Sequence, residues 1–154
     1  MIIIHEDLPE QNIPNEIKRT ITINGRTIIG YSYEQPTTKQ EAYDIIGLER
    51  ALRQREGGYP VLGNWYHSDY DSKLQQIGLV IMGANIPLGL MWKTLNKTLV
   101  PMTPILANAI FQTAAQYELQ LFEVAEQKRA QLTDDLTNFD PTTNWPLAYW
   151  EIQS

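Results

Sequence analysis

His67, Ser68, Asp69 and Asp71 are the residues of this chain whose types and spacing come closest to doing chemistry. An imidazole with two carboxylates can hold a divalent cation, and a His–Asp pair can move a proton. Both carboxylates also have a simpler use. Ser68 precedes an apolar run and Asp71 lies three residues on, which is the capping-box spacing at a helix start. Asp69 and Asp71 suit the positive end of the helix dipole as well, and they leave that helix start on different sides. The expectation is therefore structural: no catalytic residue, no metal ligand and no cofactor site, with His67 packed and hydrogen-bonded beside Trp65 and Tyr66. A serine nucleophile would need a positioned base and a third, orienting group, and no such set is visible. His5 is isolated. A second concentration of charge, Arg50, Arg53 and Arg55, lies near the end of an expected helix, where positive charge suits the dipole. An anion clamp is the sharper possibility. With Glu49 and Glu56 interleaved, a solvated face is expected instead.

The elements that would position these residues can be read in chain order. Residues 1–16 carry two prolines, several acids and no helical period, which suggests an extended arm or a plain disordered terminus. Ile2, Ile3 and Ile4 in that arm could add to a sheet edge, the chain's own or a partner's. Ile17 to Tyr33 reads as a hairpin turned at Asn24-Gly25, with Ile21, Ile23 and Ile28 on one face. Thr38 and Glu41 repeat the capping-box spacing and open a helix over 39–55, with Ala42, Ile45, Ile46, Glu49 and Leu52 in one stripe, stopped at Gly57-Gly58. Tyr59 to Leu62 is a short extended piece. The helix after Ser68 carries Leu74, Ile77, Gly78 and Ile81 on one face and is apolar on every side from Leu79 to Met82, so that end is expected to be buried all round. Gly78 costs about 1 kcal/mol against alanine there, which suggests close approach of another backbone. Leu90–Thr94 and Thr98–Val100 form a second expected hairpin, with Lys97 a poor fit to a two-residue turn. Thr103 and Pro104 open a helix to about Gln131. Trp65 and Trp92 border apolar elements and are expected in the core. The tail, 132–154, holds Trp145, Tyr149 and Trp150 among prolines and acids; it is either a docking peptide or a tail that caps its own core.

Composition narrows the class. At 154 residues the chain is long enough for a core without metals or disulfides, and it has no cysteine, which excludes a disulfide framework and thiolate metal sites. A net charge of −6 argues against a nucleic-acid surface and against an anionic membrane face. No run approaches the ~18 apolar residues of a spanning helix, and Met1 to Ile4 is too short and too little basic for a signal peptide.

The ordered clusters Trp65, His67, Ser68 and Asp69; Gln75 to Ala84; Trp92-Lys-Thr94; Met102-Thr103; Phe111 through Glu126; and Asn144-Trp-Pro146 resemble a family of phage tail proteins. That family includes tail fibre components and tail-fibre-assembly-like proteins sharing a small domain with no assigned activity. The resemblance covers Gly57 to Glu151; Tyr66 stands where the family pattern has Phe, and Asn96-Lys97 where it has Asp-Gly. It implies a structural protein of the virion tail, made in the host cytoplasm, with a tail fibre assembly chaperone as the alternative. A metal-dependent enzyme using His67, Asp69 and Asp71 is the distant third. The expected fold class is α+β: an N-terminal arm and β-hairpin over 1–35, a helix, hairpin and long-helix domain over 36–131, and an aromatic docking tail over 132–154. Expected partners are other tail or tail-fibre proteins and further copies of the chain, not nucleic acid or membrane, with Ile2, Ile3, Ile4, Trp145, Tyr149 and Trp150 as the partner-binding residues.

Overall fold

The computed structural model describes residues 3–4, as backbone, and 17–153. The chain is α+β. Its first sheet has the order β1 (Ile3–Ile4), β3 (Arg26–Tyr33), β2 (Ile17–Ile23), antiparallel throughout. Asn24 and Gly25 both take positive φ, 52° and 80°, the conformation that a two-residue primed turn requires. Ile21 and Ile23 point into the core as the alternation demands, and Ile28 packs beside them. Ile3 and Ile4 pair with Ser32 and Tyr31, so the edge that this segment joins is the chain's own. Ile2, His5 and the remainder of the expected arm lie outside the described residues.

Helix α1 (Lys39–Glu56) starts on the expected capping box: Thr38 Oγ1 accepts from the Glu41 N–H at 3.2 Å, and the Glu41 carboxylate accepts from the Thr38 N–H at 3.3 Å. It stops where Gly58 takes φ +64°. A Cβ at Gly58 would fall 2.6 Å from the Leu95 side chain and 2.9 Å from the Tyr66 carbonyl oxygen, so glycine is required on both counts. The extended piece after it is one strand of a small hairpin, β4 (Tyr59–Val61) with β5 (Asn64–Tyr66), turned at Leu62-Gly63 with φ of 49° and 84°.

Helix α2 (Tyr70–Met82) differs from its expectation in three ways. Its N-cap is Asp69, which accepts from the Ser72 N–H at 2.9 Å and the Ser72 hydroxyl at 2.7 Å. Ser68 is instead buried, its hydroxyl accepting from the Gly58 N–H at 2.9 Å. A carboxylate one residue on serves two donors, which frees the serine to join α2 to the end of α1. The C-terminal end is not buried all round: Ile81 is 80 % exposed, and Met82 is exposed with it. Gly78 meets no neighbour, since a Cβ there would find nothing within 4 Å.

A single 3-10 turn (Gly83–Asn85) leads to the hairpin β6 (Met91–Lys93) and β7 (Leu99–Pro101). Its turn is longer than two residues. Lys97 sits at φ +66° and donates its N–H to the Thr94 carbonyl at 3.0 Å, while Thr94 Oγ1 accepts from the Thr98 N–H. Helix α3 (Pro104–Ala130) is capped by Thr103 with proline in its first turn, as expected. Both α1 and α2 pack along it, which is how a helix of about 40 Å is covered. One core cluster joins α3, β4, β5 and Ile46; the other joins the β2–β3 hairpin to Ile45, Leu52, Leu95 and Tyr149. Trp65 and Trp92 flank these cores half-buried and do not sit inside them.

Residues 132–148 wrap back over the molecule to a last short helix, α4 (Tyr149–Ile152). Trp145 and Tyr149 are buried, one in each cluster, and Trp150 is half-buried. The tail therefore caps its own core. This corrects the expectation of a free docking tail: these rings already pack within the chain.

Candidate functional site

Three groupings of chemistry-bearing residues emerge. The first is the sequence motif. His67, Ser68, Asp69, Arg55 and Glu56 border a cleft of about 280 Å³ beside the β2–β3 turn. Burial holds the His67 imidazole below its ordinary value, against the opposing pull of Asp69 and Glu56. Asp69 is engaged as the α2 cap, and the His67 carbonyl accepts from Gln76 Nε2 at 3.0 Å. Among the described residues no group of three His, Asp or Glu converges on a position that could hold a metal ion.

The second grouping was missed from the sequence. Arg53, expected with the other arginines on a solvated face, is fully buried, and so is Glu49 on the apolar stripe of α1. Arg53 Nε donates to Glu49 at 2.9 Å, Arg19 Nε donates to the same carboxylate at 3.0 Å, and the Tyr31 hydroxyl adds a third bond at 2.7 Å. The far side of the Arg53 guanidinium donates to Glu151 at 2.7 Å and to the carbonyls of Thr142 and Pro146. Its plane lies over the Trp145 and Trp150 rings at 5.7 and 5.4 Å. Burial pulls the Glu151 carboxyl upward, but the hydrogen bonds from Arg53 and the Ala148 N–H outweigh it and hold the group below its ordinary value. Burial raises the Tyr31 hydroxyl, and the neighbouring Glu49 charge raises it further. Every donor of Arg53 has a partner inside the chain, so this network is a clasp that pins the tail to α1. The signal that could have found it is Glu49 itself, a carboxylate on the apolar stripe of α1 one turn before Arg53.

The third grouping is α2, whose faces are reversed. Inward it turns Ser72, Gln76 and Leu79. The Gln76 amide is 3 % exposed, held by the Tyr59 hydroxyl and the His67 carbonyl. Outward it turns Tyr70, Leu74, Ile77, Ile81 and Met82, all exposed. Buried polar groups and contiguous exposed apolar ones are the two informative departures from ordinary burial. Beside this stripe runs a groove of about 240 Å³ between α2 and α3, floored by Ile77, Phe111, Ala114 and Ala115 and bounded by the Lys73–Glu118 ion pair. Phe111 and Phe122 of α3 are exposed as well. The stripe, with its groove, is the candidate interaction surface.

Residues 37–143 match the family described as Domain of unknown function (DUF4376). That is more than half of the chain, and the chain belongs to this family. The matched span takes in α1, α2, both small hairpins, α3 and the start of the wrapped tail. No curated protein matches the chain. No solved structure matches it. Among the described residues no helix is long and apolar enough to cross a membrane.

Proposed function

We propose that this chain is a structural component of a bacteriophage tail, associated with the tail fibre or baseplate and acting through protein–protein contacts. It is made in the host cytoplasm and carried in the virion. What supports the tail assignment is the resemblance of the Trp65–Asp69, Gln75–Ala84 and Trp92–Thr94 clusters to tail proteins. The observation that carries the contact role is the reversed helix α2, which leaves Leu74, Ile77 and Ile81 in solvent while it buries a glutamine. Exposed apolar side chains grouped in this way cost solubility and mark interaction surfaces in soluble proteins. A component keeps the face covered in the finished particle; an assembly chaperone covers it only for a time. Mass spectrometry of purified particles separates the two. Stoichiometric presence of the chain supports the component, and its absence from particles that contain fibres supports the chaperone.

A further inference from the structure

We infer that the outward stripe of α2 is the face through which two copies of this chain pair, α2 against α2 and antiparallel. This deepens the proposed function and rests on it only for its biological setting. Tyr70, Leu74, Ile77 and Ile81 recur at intervals of four, three and four residues, the spacing of a helix–helix seam. All four are exposed. A helix seam of this kind pairs with a like seam, and a twofold axis lets one patch cover itself.

Charge favours a second copy over a charged partner. The chain carries −6, yet no Asp or Glu occurs between Asp71 and Glu118; only Lys73, Lys93 and Lys97 are charged there. The excess of acid therefore lies outside this stretch of the sequence, so the stripe can meet its own image without the repulsion that a net charge of −6 brings to an acidic face. On this stripe nothing charged faces its own image. With the axis between Ile77 and Gly78, Leu74 of one copy lies against Ile81 of the other, and Ile77 against Gly78. The charged start of each helix, Asp71 and Lys73, then meets the uncharged end of its neighbour, and the two helix dipoles run in opposition. Gly78 gains a reason it lacks within one chain. It sits mid-helix with nothing within 4 Å of a Cβ, so no contact inside the fold requires glycine. A second helix crossing at that point would use the missing side chain to approach closely.

Sedimentation equilibrium of the full chain from about 1 to 100 µM tests this, with Ile81→Asp and Leu74→Asp as variants. The expected result is a dimer for the native sequence. In each variant the dissociation constant should rise at least about thirtyfold, with the melting curve at low concentration retained. Because the chain has no cysteine, Gly78→Cys gives a second readout. Under mild oxidation it should cross-link into dimers, since the two positions lie within disulfide reach near the axis. Gln40→Cys, on the exposed start of α1, should not. A native chain that stays monomeric at 100 µM overturns the inference, as does a dimer that survives both aspartates or equal cross-linking at positions 78 and 40. A monomer that is nevertheless found in particles would sink this pairing and leave the tail reading standing. A dimer absent from particles would do the reverse.

Discussion

Helices α1 and α2 solve opposite problems with similar materials. Helix α1 carries charge into the core and leaves none of it unpaired: Glu49 and Arg53 are fully buried and satisfied by Arg19, Tyr31, Glu151 and two tail carbonyls. Helix α2 is apolar along most of its length, yet turns that apolar face to solvent and buries Gln76. The first region is closed on itself, because removing Arg53 or Glu49 leaves its buried partner short of countercharge. The second is open, because its apolar stripe is covered by nothing within the described chain. A closed charge network and an exposed apolar stripe are thus divided between two helices that both lean on α3.

The contrast can be broken in order of expected effect. Deleting residues 141–154 removes Trp145 and Tyr149 from the two core clusters and strips Arg53 of its tail partners. The truncated chain is expected to lose its cooperative unfolding transition by circular dichroism; a transition like that of the full chain would show the tail to be dispensable. Arg53→Met leaves Glu49 with half its countercharge and should cost about 3–5 kcal/mol in urea unfolding. The same clasp sets a pH dependence. Because the folded carboxyl of Glu151 titrates below its ordinary value, the stability it contributes is complete above that ordinary value and fades as pH falls through the folded one. His67, also held low, contributes stability that is complete above the ordinary imidazole value and fades below it. Urea midpoints should therefore decline into acid. In Arg53→Met the carboxylate part of that decline should flatten while the His67 part remains.

Smaller effects sharpen the account of α2. Gln76→Leu strands the Tyr59 hydroxyl and the His67 carbonyl, and about 1–3 kcal/mol should be lost, even though a buried polar residue becomes apolar. A gain in stability would mean that the glutamine does not hold the helix in its reversed orientation. Gly78→Ala has the opposite sign. With open space around the position and a helical backbone, alanine should add about 0.5–1 kcal/mol to the dilute chain. A loss would point to a close contact at Gly78 that the fold of one chain does not contain.

Local chemistry explains what the sequence made legible. Asn24-Gly25, Thr38 with Glu41, and Thr103-Pro104 each act within a few residues, and each forms the turn or cap expected of it. Helix α2 was harder because a segment apolar on several sides has no unique inward face, and what chose the face was a glutamine reaching Tyr59 and His67. Its cap moved one residue because Asp69 serves two donors while Ser68 has a distant use at Gly58. Arg53 could not be placed from its neighbours: an arginine one turn after a glutamate resembles any surface pair, and its main partner, Glu151, is 98 residues away. The tail was open for the same reason, since aromatic residues among prolines serve a partner's core or their own equally well.

The most direct test of the central claim, an open α2 beside a closed tail, is hydroxyl-radical footprinting of the full chain in dilute solution. Tyr70 and Met82, exposed on α2, should be modified quickly; Trp145 and Tyr149, buried with the tail, should be modified slowly, and should become reactive only when the protein is unfolded. Trp145 and Tyr149 reacting as fast as Tyr70 in the folded chain would contradict the account, because the tail would then be the open surface and α2 would not be distinguished from it.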